Sequence, residues 1–301
     1  MEYTPPLETY SARVKEVSVG KGDKAVKLGG ENVLPLHLFE GTIENPPRLA
    51  LEVLDTKPEG WSEYVVEPYK DVISDPVAWA KKAVDFGADL VCLRLESTDP
   101  AGLNGPADKA ADVVKAVISA IPVPVIVYGV QDEVKDVEVL TKVAEVCDGE
   151  NLLLGPVLKE NYEPISKAAL DHGHRIIAQT PLDINLEKEL NVKLLKSFPP
   201  ERMVIDTMPS GLGYGIEYGF TIMERTKHIG VIFGDGTLQM PMIGDVGKEC
   251  WKTKQAKASL KQGLLWETIT ALSFILGGAN VVVLRHPESL KLMREVIEGK
   301  M

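Results

Sequence analysis

An eightfold β/α barrel behind a short β-hairpin is the fold that this sequence of 301 residues predicts. Three observations carry the reading. Short apolar runs recur eight times from Leu49 onward, and each is followed by a stretch with helix signals. The repeat fills residues 49–299 at about 31 residues per unit, the usual size of a (β/α)8 TIM barrel unit. No low-complexity tract or linker interrupts it. An open doubly wound sheet is the competing architecture. It needs a reversal of strand order that sequence does not display, and eight units is a high count for it.

Residues 1–47 stand outside the repeat. Residues 14–19, the turn Gly20-Lys21-Gly22-Asp23 and residues 25–28 before Gly29-Gly30 read as a hairpin. The economical place for it is the bottom of the barrel, as an N-terminal extension (residues 1–47) on one barrel domain (residues 48–301). The predicted barrel strands are residues 49–54, 90–95, 123–128, 152–154, 175–179, 203–206, 240–244 and 280–284. Asp75-Pro76 supplies an N-cap and a first-turn proline for a helix ending at Phe86-Gly87. Apolar spacing near 3.6 predicts helices over residues 107–121, 132–147 and 162–172, with Gly173 in a C′ position. Further helices are expected over residues 184–198, 216–228, 249–276 and 287–297. The longest uncharged run, residues 268–284, reads as a helix end, a Gly277-Gly278 stop and a buried strand. At 17 residues it is short for a span of about 20.

Composition narrows the function. Lys and Arg number 33 against 44 Asp and Glu, a net charge of −11, which argues against nucleic-acid or anionic-membrane binding. Cys92, Cys147 and Cys250 are widely spaced and form no CxxC pair. A zinc ribbon, a disulfide-stapled domain and a four-cysteine iron–sulfur cluster housed by this chain alone are therefore all excluded. The first residues show no apolar stretch behind a basic start, so a cytoplasmic location without membrane attachment is expected.

In such a barrel, chemistry belongs at the carboxyl ends of the strands. Those ends carry Glu52 and Asp55; Arg94, Glu96, Ser97 and Asp99; Tyr128 and Gln131; Gly155-Pro156; Gln179 and Thr180; Asp206 and Thr207; Asp245; and Arg285 and His286. Strand parity puts Leu90, Cys92, Arg94 and Glu96 on one face. Arg94 and Glu96 then either point into the mouth for function or pair with each other to fill the barrel. The loop from Asp206 to Gly215 holds Gly211, Gly213 and Gly215 at alternate positions, suited to close backbone approach by a ligand or to tight turns alone. It is not a dinucleotide fingerprint, because Ile216 and Tyr218 stand where the last glycine is needed. Gly247-Lys248-Glu249 likewise fails as a phosphate loop. HExxH and GxSxG are both missing. His172, His174 and His228 read as surface or helix-end residues, and His286 as part of a turn at a strand end. Met208 and Met240 are either core or contacts for a large flat ligand near the mouth.

Several stretches together resemble a known family. Lys27-Leu28-Gly29-Gly30-Glu31-Asn32-Val33-Leu34-Pro35, Phe39-Glu40-Gly41 and Leu51-Glu52-Val53-Leu54-Asp55 resemble the small subunit of the corrinoid iron–sulfur protein. So do Asp75-Pro76-Val77-Ala78-Trp79-Ala80-Lys81, Gly87-Ala88-Asp89, Ser97-Thr98-Asp99-Pro100, Asp206-Thr207 and Gly244-Asp245. Each motif is weak alone, and their order and spacing along the chain carry the likeness.

The resemblance implies a barrel subunit of a heterodimer in the reductive acetyl-CoA pathway. In that family a large subunit bears a 4Fe–4S cluster and the corrinoid (cobalamin). The assembly takes a methyl group from methyltetrahydrofolate through a methyltetrahydrofolate:corrinoid methyltransferase and delivers it to acetyl-CoA synthase. The small subunit is implied to enclose the corrinoid with the top of its barrel, without a metal ligand or catalysis of its own. The corrinoid signature DxHxxG is absent here, since no histidine follows Asp by two positions. Arg94, Gln179, Thr180, Asp206, Thr207, Gly211, Gly213, Tyr214 and Asp245 are the expected contacts to the corrin. The competing function is a free-standing pterin-binding barrel methyltransferase, with Asp206, Asp245 and Gln179 on the pterin. A phosphate-binding lyase barrel is disfavoured, because Arg285-His286-Pro287 follows the last strand where a glycine-rich loop would be needed.

Overall fold

The structure is a computed structural model and describes residues 6–299. A short antiparallel hairpin comes first, β1 (Val17–Val19) against β2 (Val26–Leu28), with Val17 opposite Leu28. Eight parallel strands follow: β3 (Arg48–Leu54), β4 (Leu90–Arg94), β5 (Val125–Tyr128), β6 (Leu153–Val157), β7 (Arg175–Gln179), β8 (Met203–Asp206), β9 (Met242–Asp245) and β10 (Ala279–Leu284). They pair in chain order, and β10 returns to pair with β3. That closure rules out the open sheet and makes the protein a TIM barrel.

Ten helices surround it among the described residues. The early ones are α1 (Glu63–Val66), α2 (Pro76–Asp85), α3 (Ala107–Ala120), α4 (Glu133–Val146) and α5 (Tyr162–Asp171). The later ones are α6 (Ile184–Leu194), α7 (Ile216–Ile232), α8 (Val246–Trp251), α9 (Leu260–Leu276) and α10 (Pro287–Ile297). Local chemistry explains their starts. Asp75 accepts from the amides of Val77 and Ala78, and Asp132 and Asp183 cap α4 and α6 in the same way. Among the described residues, no helix is long and apolar enough to cross a membrane.

Several expectations need correction, among them β5, which begins at Val125 and not at residue 123, and α6, which ends at Leu194 and not at residue 198. The helix expected over residues 249–276 is broken between Trp251 and Leu260. Thr253 Oγ1 accepts from the Ala256 amide at 3.0 Å and Ser259 Oγ from the Gln262 amide at 3.2 Å. These hydroxyls compete with the helical ladder and restart it. The ninth strand begins at Met242, two residues later than expected, because Pro241 has no amide to donate to the ladder. Helix α7 runs on to Ile232, so His228 lies inside it and does not close it.

Strand alternation divides the apolar residues between two cores. Leu49, Leu51, Val53, Val91, Leu93, Val127 and their counterparts face outward and pack against the helices. Ala50, Leu90, Cys92, Ile126, Leu153, Ile177, Val204, Ile243, Val281 and Val283 face inward. Val17, Val19 and Leu28 of the hairpin join that inner cluster. Backbone contacts place the hairpin at the amino-terminal ends of the strands. The Gly20 amide donates to Asn151 O at 2.8 Å, and Asn151 Nδ2 donates back to Ser18 O and Gly20 O. Lys24 Nζ donates to Ile121 O at 2.7 Å. His174 is wholly buried at the same end, where Nδ1 accepts from the Leu152 amide at 3.1 Å. It is a structural residue and not a surface one.

Because Leu28 is 1% exposed and plugs a closed barrel that cannot collapse around a void, Leu28→Ala is expected to destabilise the protein by about 2–5 kcal/mol. Urea unfolding checks this. A loss below about 1 kcal/mol would mean that the hairpin is a surface appendage.

Candidate functional site

The interior changes character toward the carboxyl ends of the strands. The same parity that lines the lower barrel with Ala50, Cys92, Ile126, Ile177, Val204 and Ile243 puts Glu52, Arg94, Tyr128, Gln179, Asp206 and Asp245 two residues further along each strand. Arg285 follows β10 immediately.

Two polar groups result. In the first, Arg94 Nε donates to Glu52 Oε1 and Arg94 Nη2 to Asp245 Oδ2, while Arg285 Nε donates to Glu52 Oε2. Two guanidinium cations thus balance two carboxylates in a mouth where Glu52 and Arg94 are buried. Burial works to raise the Glu52 carboxyl, but the guanidiniums of Arg285 and Arg94 overcome it and hold the group well below the usual range. Arg94 also lies over the Tyr128 ring at 4.7 Å, and Arg285 over the Trp61 ring at 4.2 Å. In the second group, Asp206 Oδ2 accepts from Tyr128 Oη and Gln179 Nε2, each at 2.8 Å, and Oδ1 accepts from the Met208 amide at 2.8 Å. Gln131 Nε2 extends the chain to Gln179 Oε1 at 2.8 Å. Asp206 forms no ion pair among the described residues, so burial pushes its carboxyl up despite three donors.

The structure therefore brings Arg94, Gln179, Asp206 and Asp245 together and disperses the rest of the expected set. Glu96 does not pair with Arg94; it leaves the strand and lines a groove of about 680 Å³ with Trp61, Leu103, Lys248 and Lys257. Thr180 turns outward and donates to Glu187 Oε2 at 2.7 Å. Thr207 is 1% exposed, and its Oγ1 is buried without a partner among the described residues, as is Asp245 Oδ1. Gly211 is packed against the protein itself, since a Cβ there would meet Glu249 Cβ at 3.2 Å. Gly213 and Gly215 adopt the left-handed φ values 88° and 91° that turn the chain into α7. Tyr214 is exposed, with Lys252 Nζ 5.2 Å from its ring centre. Met208 is exposed at the mouth, but Met240 precedes β9 at the other end and is core. His286 caps α10, accepting from the Glu288 amide. All three cysteines are buried, and burial pushes their thiols up, Cys147 to about 11, so none is a thiolate at neutral pH.

Glu187 and Glu267 escaped the sequence reading because both sit on helices and not at strand ends. Glu267 accepts from the amides of Arg285 at 2.6 Å and His286 at 3.3 Å and so secures the turn after β10. Glu187 accepts from Thr180 and from Asn191 Nδ2 at 2.7 Å, and burial pushes its carboxyl up to about 8. Between pH about 4.5 and about 8 the folded chain keeps this proton while the unfolded chain releases it. The contribution is therefore complete at low pH and lost as pH rises through that window. Glu187→Gln, a neutral isostere, is expected to flatten the fall in stability between about pH 5 and about pH 8.5 by on the order of 4 kcal/mol. Unfolding midpoints at the two pH values check this; equal slopes for variant and parent would contradict it.

Comparison with known proteins bears on the chain as a whole. Residues 16–298 match the family described as CO dehydrogenase/acetyl-CoA synthase delta subunit. The chain is 36% identical over 308 residues to the acetyl-CoA decarbonylase/synthase complex subunit delta of Methanothermobacter thermautotrophicus, covering 99% of this chain and 78% of that one. It is 36% identical over 319 residues to the subunit of the same name from Archaeoglobus fulgidus, covering 98% and 70%. Among solved structures, the dihydropteroate synthase of Thermus thermophilus aligns with a TM-score of 0.59 at 17% identity, covering 89% of this chain and 99% of that one. The dihydropteroate synthase of Xanthomonas albilineans with 4-aminobenzoic acid aligns with a TM-score of 0.61 at 13% identity, covering 86% and 95%. At such identities these two share the fold alone. Sequence identity across nearly the whole chain, together with the family match over its barrel, shows that the chain belongs to the CO dehydrogenase/acetyl-CoA synthase delta subunit family.

Proposed function

We propose that this chain is the barrel subunit of a corrinoid iron–sulfur methyl carrier and that its mouth closes over a corrinoid held by a larger, cluster-bearing subunit. In this reading the carrier receives a methyl group from methyltetrahydrofolate through a separate methyltransferase and passes it to acetyl-CoA synthase. The relatives' name, a subunit of an acetyl-CoA decarbonylase/synthase complex, supports a place in such an assembly.

The observation that carries the proposal is the pairing of an apolar rim with a polar floor of charged and amide side chains. Leu103, Val134, Leu182, Leu186, Met208 and Tyr214 follow strand ends around the mouth and are exposed, from 37% at Leu182 to 82% at Val134. Single exposed apolar residues are ordinary; a set around one opening fits a surface that another body covers. On the floor, the Asp245 side chain is 17% exposed beside buried Glu52 and Arg94. A corrin ring is flat and apolar at its centre and carries amide arms at its edge, so both features fit it. Asp245 would accept an amide N–H at its exposed face. Asp206, Gln179 and Tyr128 would hold the floor rigid, and the rim would exclude water. The corrinoid, when bound, supplies the methyl-accepting and methyl-donating chemistry.

Co-expression with the large subunit is expected to yield a coloured complex containing cobalt and iron, and the isolated chain is expected to show no methyl transfer. The double variant Met208→Asp, Tyr214→Asp should weaken subunit association at least tenfold without changing the melting temperature of the isolated chain, since both residues are exposed. Methyl transfer from methyltetrahydrofolate by the isolated chain, or full-strength assembly by the double variant, would overturn the proposal.

A further inference from the structure

The segment after β9 runs against the charge of the chain. Residues 246–262 hold five lysines (Lys248, Lys252, Lys254, Lys257 and Lys261) and one acid, Glu249, in a protein of net charge −11. These residues span α8, the break and the start of α9. The break leaves a basic lobe beside the mouth, where Lys248, Lys252 and Lys257 line the groove of about 680 Å³.

Lys57 and Arg285 line the same groove. Lys252 pairs with Glu249 at 2.6 Å and Arg285 with Glu52, whereas Lys57, Lys248 and Lys257 form no ion pair among the described residues. Glu96 and Asp99 line the groove from the loop after β4, and Glu59 from the loop after β3. None of these three pairs with a lysine among the described residues, and Asp99 Oδ1 accepts from the Ala101 amide at 2.8 Å. The groove thus has a positive end after β9 and a negative end after β4. Two rim residues adjoin it: Leu103 is part of its lining, and Lys252 Nζ lies 5.2 Å from the Tyr214 ring centre. A body that covers the rim therefore passes over the lysines. Lys252 and Lys257 are exposed, so the positive end does not enclose a small anion. Cations placed in this way steer an approaching surface.

We propose, resting on the reading that a larger subunit closes over the mouth, that the lysine lobe is the electrostatic docking face for that subunit. Its Asp and Glu side chains would form an acidic surface that meets Lys248, Lys252 and Lys257.

The test is the association rate of the full chain with the separately purified large subunit, measured across ionic strength. The double variant Lys252→Glu, Lys257→Glu is expected to slow association about tenfold at low salt, with an unchanged melting temperature. The difference should vanish near about 1 M salt, where charges are screened within a few ångströms. A control pair, Lys109→Glu with Lys291→Glu, lies exposed on α3 and α10 and makes the same change in net charge. It is expected to slow association less than about threefold. Equal slowing by both pairs, or no slowing by the lobe pair, overturns the docking face. Saturable binding of pyrophosphate to the isolated chain, lost in the lobe variant, would assign the groove to a small anion and also overturn it. The two readings fail separately. A complex indifferent to the lobe pair removes the docking face alone, whereas no complex with the parent chain removes the subunit reading and the docking face with it.

Discussion

A single ionic network across the mouth holds the barrel at the place where it must close. Glu52 lies on β3, Arg94 on β4, Asp245 on β9, and Arg285 directly after β10. These are four neighbouring strands, and the seam between the last and the first runs through the middle of them. Glu52 is shared by both arginines, so the seam is bridged by side chains as well as by the ladder between β10 and β3. Burying these charges is expensive, and the set persists because each member has an opposite partner. Removing Glu52, the shared member, would leave both arginines short of a carboxylate and cost about 3–5 kcal/mol.

The two ends of the barrel solve different physical problems. At the bottom, the hairpin covers the opening with Val17, Val19 and Leu28, which join the apolar side chains of the lower interior. At the top, charged and amide side chains fill the interior and leave a few oxygen atoms without partners. The polar groups of that floor pair with one another within the chain, while the apolar rim above them stays exposed.

The helices contribute more to the mouth than strand-end logic allows. Glu187 from α6 holds Thr180 away from the interior, and Glu267 from α9 fastens the turn that carries Arg285. Both carboxylates are fully buried, and burial pushes both upward. They act on the site through backbone and hydroxyl partners. The glycine loop after β8 behaves similarly: Gly211 allows the chain to pass close to α8, and so positions Met208 and Tyr214 on the rim.

Eight strands and the inward direction of Arg94 were legible in the sequence alone, because strand alternation is strictly local and each unit repeats the same apolar pattern; their order around a closed barrel was not. Glu52, Tyr128 and Arg285 were visible as strand-end residues for the same reason, though not as one connected group. The family was legible too, through motifs spread over the chain. Partner choice was not. That Arg94 reaches Glu52 and Asp245 in preference to Glu96 depends on closure, which brings residues 42 and 151 positions apart into contact. The break between α8 and α9 depended on two hydroxyls competing with the helix, and the burial of Glu187 and His174 on what packs over them. Periodicity along a chain tells which way a side chain points; only the closed barrel decides what it meets there.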